Sequence, residues 1–177
     1  MNNSAIESYL KKGLISKIVE TELTRYINFF EQTYKENIEH AEAVKNTFPR
    51  WGIISGYYAM HDITKLFLVK RFSIKVDLRV HKTTILLMKS LCEQKEILIL
   101  LESAYEEFLK MANDLAEAKE ERMKAQYYTG SEFMKERYKK ESIEFLKNFV
   151  RPYLQKMAIL ISDKNGKEEK DDIKPLG

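Results

Sequence analysis

The sequence predicts an all-α protein, an antiparallel up-and-down bundle of four to six helices. Apolar residues recur with the helical period along nearly the whole chain, and the two-residue alternation of strands is almost absent. Gly13 and Gly130 stand alone where one helix would end and another begin. At 177 residues and 44% apolar, the chain has the size of one domain with one continuous core. The bundle is expected over residues 1–162.

Ser4 and Glu7 have capping-box spacing and predict a short first helix that Gly13 ends. A long amphipathic helix over about residues 15 to 46 follows, with a stripe that includes Ile15, Ile18, Leu23, Ile27, Phe30, Tyr34 and Ile38. Thr47-Phe-Pro-Arg breaks and restarts the chain, because Pro49 suits a first turn and disfavours helix just before it. From Pro49 to Phe72 the segment is apolar on nearly all sides, which predicts the central helix. Ser73 to Asp77 reads as a polar, basic connection.

Further helices are expected over about residues 79 to 93, 96 to 129 and 131 to 162. Gly130 is a natural left-handed cap between the last two, and Pro152 should kink or split the final one. Residues 163–177 carry too little apolar surface to fold and are expected to form a disordered charged tail.

The net charge of +3 identifies no partner, but its distribution is uneven. Lys65, Lys70, Arg71, Lys75, Arg79, Lys82 and Lys89 face a single acid, Asp77, within residues 65–89. Residues 93–121 carry nine acids against Lys95, Lys110 and Lys119. Cys92 is the only cysteine, so no disulfide forms within the chain and a reducing, cytoplasmic setting is expected. The first residues lack the apolar run of a signal peptide, and the longest aliphatic run, 97–101, is far too short to span a bilayer; no membrane association is expected.

The inventory of chemistry is thin. His40, His61 and His81 show no paired-ligand spacing, and no glycine-rich phosphate loop exists, so neither metal nor cofactor is expected. Gly52 and Gly56, four apart in the central helix, read as a close-packing face, and Cys92 as a small core residue. Arg122 follows Leu101, Phe108 and Leu115 at heptad spacing and so falls on an inward stripe. A buried guanidinium needs a partner, which leaves a neighbouring helix end, an outward-reaching side chain or a functional role open.

Three segments, SGYYAMHDITKLFL at 55–68, VHKTTI at 80–85 and RMKAQYY at 122–128, resemble in that order the HEPN superfamily over about residues 15 to 160. Tyr57, Tyr58, Ala59 and Met60 match its first motif, His81 and Lys82 its second, and Arg122, Ala125 and Tyr127 its third. The resemblance implies a four- or five-helix bundle, often a homodimer, with a groove linked to RNA or nucleotide binding. Many members are metal-independent ribonucleases of toxin–antitoxin systems, and others pair with a small nucleotidyltransferase.

Catalytic members carry an arginine, four to six intervening residues, and then a histidine on the central helix. Aligned through Tyr-Tyr-Ala-Met, those positions are Ser55 and Asp62, so the resemblance favours a non-catalytic member. Gln126 and Thr83 also depart from the pattern. The surviving candidate ligand-binding residues are His61, Arg79, His81, Lys82, Arg122 and Tyr127, flanked by a basic surface of Lys65, Lys70, Arg71 and Lys75. Trp51, Tyr57, Tyr58 and Met60 are expected in the core or at a dimer seam. The function expected first is a nucleotide- or RNA-binding module. The alternatives are a homodimeric module that docks a protein partner, and an atypical metal-independent ribonuclease built on His81 with Arg122 or Arg79.

Overall fold

The computed structural model describes residues 3–124 and 131–163, with side chains over 6–110 and 136–163. The chain is an all-α helical bundle in the order α1 (Asn3–Lys11), β1 (Ile15–Lys17), α2 (Glu20–Val44), α3 (Pro49–Phe72), β2 (Ile74–Val76), α4 (Val80–Leu91), α5 (Lys95–Lys124), α6 (Ser131–Phe145) and α7 (Arg151–Ser162). A single π-helical turn, Leu146–Val150, joins α6 to α7. The tail over 164–177 lies outside the described residues.

α3 is the axis of the fold and packs against α2, α4, α5, α6 and α7. Its composition explains this, because a helix apolar on every side needs neighbours on every side. Tyr57, Met60, Ile63 and Leu68 are fully buried and meet Leu87 and Met88 of α4, Ile97 and Leu101 of α5, and Tyr153 and Met157 of α7. Each such side chain contributes about 1.5–3 kcal/mol on burial.

The two glycines of α3 let its neighbours approach. A Cβ on Gly56 would sit 2.8 Å from Leu146 Cδ2 and 3.1 Å from Val150 Cγ2. One on Gly52 would strike Ser142 Oγ and come within 3.1 Å of Lys45 Cα. A buried chain of hydroxyls adds a polar tie between α3 and α7. Thr64 Oγ1 donates to the Met60 carbonyl at 2.7 Å, and so receives the Tyr153 hydroxyl at 2.6 Å.

Two expectations are corrected. The helix expected from residue 15 begins only at Glu20, and residues 15–17 instead form a strand paired antiparallel with Ile74–Val76, inside what reads as a polar connection. The pairing register sets Ile15 opposite Val76 and buries Ile15 and Ile74. Such a pairing joins segments far apart in sequence, which local periodicity does not register. Trp51 is 57% exposed, so of its two expected places the core is excluded.

The final helix divides just ahead of Pro152. The Arg151 amide bonds the Leu146 carbonyl, a five-residue step. Proline lacks an amide proton and its ring crowds the carbonyl four residues back, and a wider turn accommodates both.

Candidate functional site

His61 and His81 meet, although one lies in mid-α3 and the other opens α4. Their rings stack with centroids 4.6 Å apart. α3 supplies Tyr57 and His61 on one face, four residues apart, with Tyr58 beside them. α5 adds Tyr105 and Phe108, three apart. Tyr57 stacks on Phe108 at 4.4 Å, and His81 lies 5.9 Å from both Tyr58 and Phe108. The result is an aromatic cluster with a closed inner end at His61, 1% exposed, and an open outer end at Tyr58, 36% exposed.

The two imidazoles differ in partners. His81 Nδ1 lies 2.9 Å from the Tyr57 hydroxyl. Burial pushes the Tyr57 phenol far above its ordinary range, so it stays protonated and is able to donate to a neutral His81 whose proton is on Nε2, or to accept from one whose proton is on Nδ1. Among the described residues His61 has no hydrogen-bond partner on either ring nitrogen. Burial, with the Lys65 and His81 charges, holds it well below the ordinary histidine value; the Val80 carbonyl opposes the shift without completing a bond of normal geometry. His81 is lowered by burial and then Lys65, against the pull of Asp62. Both rings are therefore neutral at pH 7.

The positions aligned with the catalytic arginine and histidine face α2. Ser55 Oγ pairs with His40 Nδ1 at 2.7 Å, and Asp62 accepts hydrogen bonds from Asn37 and Lys65, each at 3.1 Å. Seven residues is two helical turns, so Ser55 and Asp62 form two rungs of one ladder between α2 and α3. Both are buried and satisfied.

Of the expected site residues, His61 and His81 come together, and Arg79 and Lys82 are exposed on either side of His81. Arg79 has a left-handed backbone, φ +48°, where the chain turns into α4. Arg122 lies in α5 fourteen residues beyond Phe108, about 21 Å along the axis at 1.5 Å per residue, so the helix carries it away from the histidines. Its side chain, and Tyr127 altogether, lie outside the described residues.

The basic surface is largely paired internally. Lys65 meets Asp62 at 3.1 Å, Lys70 meets Glu31 at 3.6 Å and Lys75 meets Asp77 at 3.4 Å. Arg71 donates to the Leu160 and Asp163 carbonyls at the end of α7. Tyr105 and Phe108 are the site residues that a sequence reading misses; their helical spacing marks an inward stripe, which serves packing and recognition alike.

Among the described residues no group of three or more histidines, cysteines and acids is arranged to hold a metal, and no helix is long and apolar enough to cross a membrane. No family model matches the chain, and neither a curated protein nor a solved structure matches it.

Proposed function

We propose that the chain is a HEPN-like module that binds single-stranded RNA or a nucleotide without cleaving it. The observation that carries the reading is the meeting of His61 and His81 within an aromatic cluster whose open end, Tyr58, lies 5.9 Å from His81, the residue flanked in sequence by the exposed cations Arg79 and Lys82. Aromatic rings stack any base, and cations beside them hold the phosphates. A buried histidine without partners is unfavourable to folding, which supports a role beyond packing.

The absence of cleavage follows from what surrounds the pair. Ser55 and Asp62 are committed to α2, and His61 is closed off from a strand lying on the surface. A lone half-buried His81 leaves phosphate-ester cleavage short of a second acid–base group. The test is incubation of the protein with mixed-sequence single-stranded RNA at low salt and with chelator, read for both binding and cleavage. Salt-sensitive binding that Tyr58→Ala weakens, with the RNA intact, is expected. Absence of binding overturns the reading, and cleavage lost in His81→Ala replaces it with a ribonuclease.

A specific observation favours a protein-docking role as the second reading. Phe48 and Trp51 are 63% and 57% exposed, and with His40 and Val44 they line a recess of about 390 Å³. Large exposed aromatics of this kind are frequent anchors of protein interfaces, whether with a second copy or with a nucleotidyltransferase.

A further inference from the structure

Among the described residues, the first turn of α4 has one hydrogen bond to α3, the 2.9 Å bond between His81 Nδ1 and the Tyr57 hydroxyl. The His81 ring also stacks on His61 and meets the edge of Tyr58. The turn itself is weakly started. Arg79 at its head has a left-handed backbone, φ +48°, and no side-chain bond caps the helix. A side chain disfavours that backbone, so unwinding releases strain there. Besides His81, Thr83 holds the turn: its amide donates to the Arg79 carbonyl at 2.9 Å and its hydroxyl to that of Leu78 at 2.8 Å.

A proton on the stacked pair finds no host. The titratable side chains that face it among the described residues are Tyr57, Tyr58, Asp62 and Lys65 of α3 and Tyr105 of α5, and Arg79 and Lys82 flank His81 in sequence. From α2 comes the neutral Asn37, bonded to Asp62. Asp62 is the one acid of this group, and Lys65 pairs with it at 3.1 Å. An imidazolium in the stack therefore lies near a lysine, in a desolvated cluster and at the positive end of α4. All three conditions are relieved when His81 turns out to water. Its departure also uncovers His61, whose two unpartnered nitrogens then find solvent.

We infer that the stacked imidazoles are a proton-operated latch on the aromatic cluster: a proton taken by His81 drives its ring into water, the first turn of α4 unwinds, and the uncovered His61 takes a second proton that keeps the cluster open. The inference rests on the reading of the cluster as a ligand site and names its regulation. Unwinding carries His81, with Arg79 and Lys82 beside it in sequence, away from Tyr58, so cations and stacking ring no longer act on one strand. An exposed histidine titrates near about pH 6.5 and both folded values lie lower, so the open form binds more protons. The latch is shut above about pH 6.5 and opens as the pH falls below it. A proton that merely added charge would do the reverse and tighten the binding of a polyanion on acidification.

The experiment is a titration of the isotope-labelled full chain between about pH 7.5 and 5.5, read by histidine ring resonances and amide exchange, with affinity for single-stranded RNA measured over the same range. Both rings are expected to titrate in one step steeper than a single proton. In that step the Thr83, Thr84 and Ile85 amides lose protection, while Ile63 and Leu146 in the core keep theirs. RNA affinity is expected to fall by about tenfold or more, and His61→Leu to reduce the step to one proton. Titration of His81 alone, with the first turn of α4 still protected, overturns the latch whether or not RNA binds. RNA affinity that rises on acidification overturns it too, as does simultaneous loss of protection in α3, which is global unfolding. The expected ring and amide changes without RNA binding at any pH uphold the latch and overturn the ligand reading alone.

Discussion

The imidazole of His61 stacks on that of His81 with ring centroids 4.6 Å apart, and of the two only His81 has a hydrogen-bond partner among the described residues. The relationship joins a residue buried among α3's apolar neighbours to one at the first turn of α4, where the positive end of the helix dipole opposes an imidazolium. It fixes how the site responds to protons, how it was visible in sequence and how it meets a ligand.

The protein is expected to lose stability on mild acidification. Both histidines have folded-state values lowered from the ordinary one, His61 well below it, mainly through burial. The unfolded chain then binds protons that the folded chain refuses, so the stability is full above about pH 6.5 and falls as the pH drops towards the folded values. For His61 the slope approaches about 1.4 kcal/mol per pH unit. Urea unfolding between pH 7 and 5 checks it, a window above most carboxylate titration. His61→Leu should flatten the slope and be neutral or stabilising at pH 7, since it removes two unsatisfied nitrogens. An equal slope in variant and parent would place the titrating group elsewhere.

Gly56→Ala is expected to destabilise despite the better helix propensity of alanine. The new methyl group would meet Leu146 Cδ2 at 2.8 Å, Val150 Cγ2 at 3.1 Å and Phe145 Cε1 at 3.3 Å, all buried residues. Overpacking of this kind costs about 1–3 kcal/mol, against a propensity gain of about 1 kcal/mol. A net loss of up to about 2 kcal/mol and a lowered Tm follow. A melting curve that rises would mean that α6 and the π turn yield freely.

How much of this was legible in the sequence depends on the range of the interaction. The bounds of α3, Pro49 to Phe72, follow from Pro49 at its first turn and from apolar residues on all sides, both local signals. The β1–β2 pair was invisible, because three-residue strands carry too few alternations and their partner lies far along the chain. The motif residues placed His61 and His81 together as candidates, and the geometry brings them into contact. Within the charge run of residues 65–89, Lys75 meets Asp77 of the run itself, whereas Lys65, Lys70 and Arg71 meet Asp62, Glu31 and the α7-end carbonyls outside it, pairings that a count along the segment does not register. Trp51 repeated the helix's apolar pattern yet stands at its exposed first turn, beyond the reach of the packing neighbours.

Arg71 is expected to matter for folding, not for polyanion binding. Its guanidinium donates to the Leu160 carbonyl at 2.8 Å and to that of Asp163, capping the negative end of α7. Arg71→Ala should destabilise by about 1–2 kcal/mol, in line with a charge-assisted hydrogen bond, and leave RNA affinity of the folded protein unchanged. Thermal unfolding and a binding isotherm on the same variant separate the two effects. A variant that melts normally but binds RNA weakly would return Arg71 to the binding face.

Arg79 and Lys82 are the cations left to engage phosphate beside the aromatic cluster, since both are exposed and neither takes part in an ion pair among the described residues. Each phosphate contact on a single strand contributes about 0.7 to the slope of log affinity against log salt. The double variant Arg79→Gln, Lys82→Gln should therefore lower that slope by about 1.4 and weaken binding alike across RNA sequences. Tyr58→Ala should act in the opposite manner, reducing affinity by about 1–3 kcal/mol at every salt concentration, because stacking releases no counterions. Fluorescence anisotropy with a labelled single-stranded RNA at several salt concentrations distinguishes the two. If the double variant keeps the parental slope, the phosphates are held elsewhere on the bundle, and the aromatic cluster loses its claim as the nucleic-acid face.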